Sequence, residues 1–301
     1  MKKTCLYCST ESSIYFRSRD YNRRVTRVIF DHYRCQKCKL IFISPFPQNL
    51  GDYYPQEYYY IPETADFLEE NLAHEKYKIE IVQRYVKQGR LLEIGPSLGS
   101  FAYLAKKSGF ETETIEMDAR CSAFLNDVAG VTTVNSSDTC GTLKTLKPFD
   151  VIAMWHVIEH LTNPWETLEV ISENLNTGGV LVLAAPNPDA FQFQVLRRYW
   201  PHVDAPRHLM LIPAQSLIEK MKTIGMTLEL FTTNDEGGLG WNVFGWEYFF
   251  SNFCRRPRVN RLLRKLGRLV AKLVGPIERL DRKSTRLNSS HPRLSRMPSS
   301  A

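Results

Sequence analysis

The sequence predicts an α/β protein in which a doubly wound, mostly parallel sheet follows a small cysteine-containing ribbon. From Arg90 onward, short apolar runs alternate with helical patterns, as in parallel strands joined by crossover helices. Before them stand two Cys-x-x-Cys pairs, Cys5/Cys8 and Cys35/Cys38. A chain of 301 residues is long enough for one large core with an appended module.

The charge of the chain is unevenly distributed. The formal charge of +7 combines −5 over residues 1–254, +8 over residues 255–280 and +4 over residues 281–301. Because the body is acidic, its charge does not favour nucleic-acid binding. The chain has no apolar run of about 18 residues, and its start has no signal-peptide pattern. We therefore expect a cytoplasmic protein.

The paired cysteines predict a metal site. Each Cys-x-x-Cys can form a tight knuckle, and the strands between them, near residues 14–16 and 25–30, form a hairpin that brings the knuckles together. Four thiolates fill a tetrahedral shell, so the site is expected to hold structural zinc with no position for a catalytic water. We expect a structural or substrate-docking ribbon rather than a nucleic-acid module. The predicted ligands are Cys5, Cys8, Cys35 and Cys38.

A tyrosine-rich segment follows the ribbon. It runs from Asp52 to Tyr60 and precedes a helix predicted from about Ala65 to Lys87. We expect the tyrosines to pack between the modules. A substrate-facing wall is the alternative, because tyrosine offers both a ring face and a hydroxyl.

A glycine turn opens the alternating region. Residues 91–94 predict a buried strand, Gly95-Pro-Ser-Leu-Gly99 a turn, and Phe101–Lys107 a helix. Glycine accepts positive φ and lets the backbone approach a ligand closely. The next strand ends at Glu116, where a doubly wound sheet places a carboxylate that accepts hydrogen bonds from ribose hydroxyls.

The remaining elements continue the alternation. Asp138 follows the third strand and is a candidate contact to an adenine edge, with a solvated loop aspartate as the alternative. His156, Glu159 and His160 follow the fourth strand at i, i+3 and i+4, a spacing that puts them on one face if the segment is helical. The predicted strands are Thr132–Asn135, Phe149–Trp155, Val180–Ala184 and Met226–Phe231, and the predicted helices are Pro164–Asn174 and Pro213–Ile224.

Five features, in their order along the chain, resemble class I S-adenosylmethionine (SAM)-dependent methyltransferases. They are the glycine turn, Glu116, the Phe149-Asp150 strand, the His156–His160 box and Leu175–Pro186. The four-cysteine module, the tyrosine cluster and Pro206-Arg-His-Leu are similar to bacterial zinc-ribbon members of that group. The resemblance implies a Rossmann-like SAM-binding core. A nicotinamide site would need Gly-x-Gly-x-x-Gly, which this turn does not match.

The resemblance also implies roles for single residues. Glu93 would face the amino-acid portion of SAM, Gly95 and Gly99 would admit the methionine moiety, and Trp155 with His156 would cover the sulfur. Ser97 stands where the family has glycine, and we expect binding to be kept by a stiffer loop. The cofactor-binding candidates are Glu93, Gly95, Ser97, Gly99, Glu116, Asp138 and Trp155.

The catalytic candidates are His156, His160 and His208. The His-x-x-Glu-His box resembles, with one substitution, the Glu-x-x-Glu-His box of ubiquinone-type and small-RNA O-methyltransferases, which can bind a divalent metal. His208 would be a further ligand or a general base near neutral pH. We favour the alternative that Glu159 and His160 brace the segment.

The C-terminal part contains an aromatic segment, residues 240–250, expected at the substrate mouth. A basic amphipathic helix over residues 255–275 is expected to pack its leucines on the core, with peripheral contact to an anionic membrane as the alternative. Residues 281–291 and 295–301 can be reverse-translated into parts of a sequencing-adapter oligonucleotide, so we expect residues 281–301 to be a non-native, disordered tail, with an ordinary Ser/Arg-rich disordered tail as the alternative. The native chain would then be longer, and the last strand of the sheet would be missing.

The predicted function is SAM-dependent methylation of a small molecule, such as a sugar or glycan intermediate. The alternatives are an RNA or protein methyltransferase that docks through the ribbon, or a non-catalytic SAM-fold binding module. Sequence does not address the oligomeric state. The predicted segments are a ribbon (1–44), a linker and helix (45–89), a SAM-binding core (90–234), an aromatic segment with a basic helix (235–280) and the tail (281–301).

Overall fold

The computed structural model describes residues 2–233, 235–254, 256–284 and 293–296. They form two sheets, a small antiparallel one at the N-terminus and a larger, mostly parallel one. None of the helices in these residues is long and apolar enough to cross a membrane.

The small sheet is completed by a strand from the body of the protein. Its order is β1-β2-β3-β4-β10, and β10 pairs antiparallel with β4, with Met210 opposite Phe42. The β2–β3 hairpin brings the two cysteine knuckles together, as the sequence predicts, but its second strand begins at Phe30 rather than spanning residues 25–30. The strands are β1 (Lys2–Thr4), β2 (Glu11–Ser18), β3 (Phe30–Cys35), β4 (Ile41–Ile43) and β10 (Met210–Leu211).

The large sheet has the order β11-β12-β9-β8-β5-β6-β7. The five strands from β9 to β7 are parallel, and the order reverses between β5 and β8. In open α/β sheets, ligands bind beyond the carboxyl ends of the strands at such a switch point. The strands are β5 (Gly89–Ile94), β6 (Phe110–Glu116), β7 (Thr132–Asn135), β8 (Phe149–Trp155), β9 (Leu175–Ala184), β11 (Thr227–Phe231) and β12 (Arg293–Arg296).

Helices cover both faces of this sheet. Apolar side chains of α1 and α2 pack on one face, and those of α5 and α7 pack on the other. Both faces of the central strands are therefore buried, which explains why β8 is almost entirely apolar. The helices are α1 (Asp66–Gln83), α2 (Ser100–Lys107), α3 (Ala119–Asp127), α4 (Thr139–Leu143), α5 (Pro164–Glu173), α6 (Phe191–Leu196), α7 (Ala214–Thr223), α8 (Glu236–Ser251) and α9 (Pro257–Ser284).

The expectation of a missing last strand is wrong. β12 lies between β9 and β11 and pairs antiparallel with both. Without β12, β9 and β11 would leave a gap lined by unpaired main-chain N–H and C=O groups. A strand placed in this gap forms the main-chain hydrogen bonds, and these do not depend on the identity of its side chains. The expected disorder is likewise wrong for residues 281–284, which continue α9, and for residues 293–296. Residues 285–292 and 297–301 lie outside the described residues.

The packing predicted for the basic helix is right in part: α9 packs on the protein and its basic side chains are exposed, but its leucines are not on the packed face. Leu262, Leu266, Leu269 and Leu273 are between 42% and 68% exposed. The helix α9 instead packs through Gly267 on α8 and through Val270, Ala271 and Val274 on the apolar cluster that contains Trp246. A Cβ on Gly267 would lie 2.6 Å from the Cα of Glu247, an approach that only glycine permits. Close contact through this face turns the leucines away from the core.

The ribbon is built into the body of the protein. Its Tyr33 and Phe42 belong to the same apolar cluster as Leu217 of α7, and the rings of Tyr7 and Trp165 lie 4.4 Å apart. Shared burial of this kind means that the two parts stabilise each other.

Main-chain hydrogen bonds run from the ribbon to the His156–His160 box. The N–H of Ile43 donates to the carbonyl of Leu209 at 2.9 Å, and the N–H of Leu209 donates to the carbonyl of Glu159 at 2.8 Å. The segment around Leu209 therefore holds the ribbon against the loop that follows β8.

A fully buried arginine lies beside this connection. Arg207 Nη2 is 2.7 Å from Asp20 Oδ1 and 2.8 Å from Asp204 Oδ1, and Nη1 donates to the carbonyl of Tyr53 at 3.2 Å. Burial opposes ionisation of Asp20, but Arg207 and the N–H groups of Arg23 and Val25 outweigh it and lower its pKa. The guanidinium thus joins the ribbon to the segment before β10.

We expect Arg207→Ala to lower the free energy of unfolding by about 3–5 kcal/mol, because it leaves two buried carboxylates without a partner. Urea denaturation measures this loss. Replacing all three charges (Arg207→Met, Asp20→Asn, Asp204→Asn) should recover part of it.

The matched control is Arg17→Ala. Arg17 pairs with Asp31 at 2.7 Å, but its side chain is 60% exposed, so the loss should stay within about 1 kcal/mol. Equal losses for Arg17→Ala and Arg207→Ala would contradict the role given to the buried cluster.

Candidate active site

The candidate site lies where β5 and β8 end side by side. The loop after β5 carries Gly95 and Gly99, and the loop after β8 carries the His156–His160 box. A Cβ placed on Gly95 would lie 2.8 Å from Cγ2 of Val157, so the two loops touch. This is the crevice that the switch point predicts.

The glycine loop keeps its shape despite Ser97. Gly95, Ser97 and Gly99 have φ values of +66°, +56° and +77°. Ser97 therefore adopts the left-handed conformation that glycine prefers, at a cost on the order of 1 kcal/mol. Glu116 at the end of β6 offsets this strain, because Oε2 accepts the N–H of Ser97 at 2.9 Å and Oε1 accepts the N–H of Asp118 at 2.8 Å.

Glu93 is a buried acid at the end of β5. Oε2 of Glu93 has no hydrogen-bond partner among the described residues. Burial raises its pKa to about 8, with Lys78 acting downward and Glu75 upward. A buried carboxyl group with an unsatisfied oxygen is costly, and a cationic ligand would remove that cost.

The crevice suits the charge pattern of SAM, which carries a sulfonium, an ammonium group and two ribose hydroxyls. Glu93 and Glu116 supply acidic oxygens on both sides of the glycine loop. Each carboxylate oxygen has two lone pairs, so Glu116 can still accept ribose hydroxyls. The residues present therefore fit the cofactor.

Two further cofactor candidates have structural contacts. Asp138 caps α4, since Oδ1 accepts the N–H of Gly141 at 2.9 Å; its contact to adenine stays a prediction. Trp155 is buried, with its ring 5.3 Å from that of Phe101 and 4.8 Å from Nζ of Lys78. Its Nε1 has no partner among the described residues.

The His156–His160 box is not a helical face, contrary to the spacing argument. Only Ile158–His160 form a short 3-10 helix, and His156 has a φ of +59° before it. The N–H of His156 donates to the carbonyl of Ala184 at 3.0 Å, because this residue still continues the pairing of β8 with β9.

Glu159 lies at the centre of the site. It is 1% exposed, and neither carboxylate oxygen has a hydrogen-bond partner among the described residues. Nδ1 of His156 lies 3.6 Å from Oε1, and Nε2 of His208 lies 4.0 Å from it. Burial acts to raise the pKa of Glu159, but His156, His208 and His160 outweigh it and lower the pKa to about 2. Glu159 is therefore an anion at neutral pH.

Backbone carbonyls orient two imidazoles toward Glu159. Nδ1 of His208 lies 2.7 Å from the carbonyl of His202, and Nδ1 of His160 lies 3.0 Å from the carbonyl of Arg207. A carbonyl only accepts, so each Nδ1 carries a proton, and a ring in its neutral form keeps the Nε2 lone pair. Burial lowers the pKa of His160 to about 4, so this ring is neutral at pH 7.

This group could hold a divalent cation. Within the described residues, one ligand atom from each of Glu159, His160 and His208 lies within 4.8 Å of the others. Two histidines and a carboxylate form a known metal-binding combination, and Nδ1 protons held by carbonyls are typical of its surroundings. His156 is not in the set.

Aromatic residues complete the mouth of the site. The Trp241 ring of α8 lies 5.2 Å from that of His156 and 5.3 Å from that of His202, where the sequence places an aromatic mouth. The Tyr54 hydroxyl lies 2.9 Å from Nδ1 of His160. Tyr59 interacts with the side chain of Ser97, and burial raises its pKa.

Sequence reasoning did not name His202 as a site residue, and it gave a substrate-facing wall only as the alternative for the tyrosine segment that contains Tyr54 and Tyr59. Tyr53 packs between the ribbon and the body as expected, with its ring 6.2 Å from that of Phe30 in the ribbon. Tyr54 and Tyr59 face the site instead. Tyr54 is 106 positions from His160, so no local pattern links them.

The four knuckle cysteines lie together. Sγ of Cys5 is 3.5 Å from Sγ of Cys38, and Sγ of Cys8 is 3.4 Å from Sγ of Cys35. All four sulfurs lie within 4.8 Å of one another, and a zinc tetrahedron with bonds of about 2.3 Å has edges of about 3.8 Å. The arrangement therefore fits zinc.

The two knuckles also share a turn geometry. Ser9 and Lys39, each just after the second cysteine of a pair, have φ values of +57° and +63°. The two halves of the site are thus built in the same way.

Comparisons with known proteins identify one family. A family model described as a methyltransferase domain matches residues 58–230. No curated protein matches the chain.

Solved structures with TM-scores of 0.51 and 0.50 share the fold. Phospholethanolamine N-methyltransferase 2 of Haemonchus contortus is 13% identical, with a TM-score of 0.51 over 100% of this chain and 71% of its own. A putative sarcosine dimethylglycine methyltransferase of Galdieria sulphuraria is 14% identical, with a TM-score of 0.50 over 76% and 86%. A SAM-dependent methyltransferase of Archaeoglobus fulgidus is 20% identical, with a TM-score of 0.49 over 76% and 98%.

Glu93 makes stability depend on pH. Because its pKa rises from 4.5 in an exposed carboxyl to about 8 in the fold, its contribution to stability is full below pH 4.5 and is lost as the pH rises through about 8. Glu93→Gln cannot ionise. We expect its free energy of unfolding to exceed that of the wild type above pH 8 by roughly a few kcal/mol, measured by urea denaturation across pH.

The control is Glu80→Gln on α1, whose side chain is 55% exposed. Its pH profile should follow the wild type. Parallel profiles for Glu93→Gln and the wild type would show that the Glu93 carboxyl is not held in its neutral form.

Proposed function

The chain belongs to the methyltransferase-domain family, and from that premise we propose that it methylates a small molecule, with a sugar or glycan intermediate as the favoured acceptor class. It is a SAM-dependent methyltransferase. The observation that carries the proposal is the ionised, buried Glu159 beside the oriented imidazole of His208, at the mouth of the cofactor crevice.

His208 is the proposed general base. SAM supplies an activated methyl group, so the protein has to align the acceptor and remove its proton. Nε2 of His208 is free to accept a hydroxyl proton because Nδ1 is held by the carbonyl of His202. The resulting imidazolium faces the Glu159 carboxylate, 4.0 Å away, which stabilises its charge.

The other two histidines have supporting roles in this proposal. His160 stays neutral, and its Nδ1 is held by both the Tyr54 hydroxyl and the carbonyl of Arg207, so it positions the acceptor rather than titrating. His156 is adjacent to Trp155 and stacks edge-on against Trp241, which suits a residue that covers the methyl group and excludes water.

The lining of the mouth supports a neutral, hydroxylated acceptor. Trp241 and Tyr54 offer ring faces for apolar C–H groups, while the histidine nitrogens offer polar contacts. Arg207, the cation behind His208, is fully buried and already paired with Asp20 and Asp204. A polyanion would meet the Glu159 carboxylate and an acidic body, which argues against a nucleic acid.

The alternatives predict different binding behaviour. An RNA methyltransferase docking through the ribbon would bind RNA with a steep salt dependence, and a protein methyltransferase would modify a polypeptide. A non-catalytic module would not bind SAM. Glu93, Glu116 and the left-handed Ser97 together favour a working cofactor loop over that last alternative.

The function is tested by SAM titration calorimetry and by S-adenosylhomocysteine release with a panel of neutral sugars and glycans. We expect SAM binding and turnover on a hydroxylated sugar. His208→Ala should lower kcat on the order of 10²–10⁴-fold, with SAM affinity unchanged. Raising the pH should partly restore the rate, since it deprotonates the acceptor.

The control is His74→Ala, an exposed histidine of α1 that should leave kcat unchanged. Full turnover by His208→Ala would remove His208 from the mechanism. If activity requires a divalent cation and chelation abolishes it, the Glu159, His160 and His208 group acts as a metal site instead.

We also propose a structural zinc ion on the four knuckle cysteines. Elemental analysis of the purified chain should find zinc, and Cys8→Ser with Cys35→Ser should lose it and lower the Tm. Cys254→Ser, a half-buried cysteine outside the knuckles, should keep it. Zinc retained by the Cys8/Cys35 variant would place the ion elsewhere.

A further inference from the structure

The helix α9 presents three different faces. At about 100° per residue, one face packs on the protein, one is apolar and exposed, and one is basic, each roughly 120° from the next. A two-sided surface helix needs only a packed face and a polar face, so the exposed apolar face has no role in the fold.

The packed face combines small and polar residues with Val270 and Val274, which lie against the apolar cluster of Trp246. Ala271 is 9% exposed, and Asn260 donates from Nδ2 to the carbonyls of Ser251 and Cys254 at 2.8 and 2.9 Å. The buried Glu278 accepts a hydrogen bond from Nε1 of Trp246 at 3.1 Å. With the close approach at Gly267, these contacts fix the rotation of α9 about its axis.

This rotation exposes a continuous apolar stripe. Its members recur every three or four residues, so they lie above one another along the helix. The stripe consists of Val259 (41% exposed), Leu262 (67%), Leu266 (42%), Leu269 (53%), Leu273 (68%) and Ile277 (52%).

The basic face borders the stripe. All of its members are exposed, and the chain from Arg256 to Ile277 contains no acidic residue. Arg258 and Lys265 lie nearest the stripe by helical angle. The basic residues are Arg258, Arg261, Arg264, Lys265, Arg268 and Lys272; of these, Arg268 is paired with Glu247 of α8 at 2.5 Å.

We propose that this face of α9 binds an anionic membrane surface, with the leucine stripe in the interface and the basic side chains on lipid phosphates. Apolar burial and attraction to anionic headgroups add together in helices that lie in the interface. Long basic side chains can also lay their stems along the apolar stripe while their charges reach the headgroups.

Charge favours lipid over a second copy of the chain. The three- and four-residue spacing of the stripe would also suit a helix pair. Two copies of α9 would then bring basic rows together with no acidic residue between 256 and 277 to pair with them. An anionic surface meets both the stripe and the charges.

The test is sedimentation of the full chain with vesicles of phosphatidylcholine alone or mixed with phosphatidylglycerol. We expect binding that requires the anionic lipid. Leu262→Gln with Leu269→Gln and Leu273→Gln should weaken it at least about tenfold. Arg258→Gln with Lys265→Gln and Lys272→Gln should weaken it on the order of a hundredfold.

The matched control is Val28→Gln with Ile29→Gln, two side chains that are each 51% exposed in the ribbon, and it should bind as the wild type does. Every variant keeps the whole chain, so the charge of the tail is constant. Circular dichroism verifies that the variants stay folded, since the changed side chains are exposed.

Three outcomes would overturn the proposal. The first is no binding of the wild type to anionic vesicles, and the second is unchanged binding of the leucine variant. The third is a dimer, seen by analytical ultracentrifugation, that the leucine variant disrupts while vesicle binding is unaffected. That result would assign the stripe to a second copy of the chain.

Discussion

The buried guanidinium of Arg207 is the interaction on which the rest of the structure depends. It holds Asp20 of the ribbon and Asp204 of the body in one ion cluster, so neither part can move without leaving a charge unpaired in the interior. The main-chain carbonyl of Arg207 orients His160, and His208 follows Arg207 in the chain. The position of the ribbon and the geometry of the site are thus set by the same short segment.

The site separates charge among groups that lie close together. Glu159 is ionised although it is almost fully buried, while His160 is neutral because burial penalises its cationic form. Pairs of groups whose environments push their pKa values apart are typical of acid–base sites. Backbone carbonyls hold Nδ1 of His160 and of His208, which makes this arrangement rigid. The base and the carboxylate are therefore already oriented before the methyl acceptor binds.

Helix α8 connects the site to the surface that we assign to lipid. Its first turns place Trp241 against His156, and Trp246 further along donates to Glu278 of α9. The glycine at 267 lets the two helices approach closely. A small-residue contact of this kind needs no large side chains, which leaves the leucines of α9 for another surface.

The sequence by itself determined the alternation of strands and helices, the two cysteine knuckles and the glycine loop with Glu116, because each is encoded by spacing within a few turns or strands. Periodicity also identified the apolar residues of α9. Periodicity could not show whether these residues are buried or exposed, because their burial depends on which face of α9 Gly267 brings against α8. The tertiary structure alone decided the burial of Arg207, the pairing of β12, the contact of Tyr54 with His160 and the left-handed backbone of His156. These features join residues far apart in the chain, or impose a conformation that only the folded environment stabilises, and no local pattern encodes them.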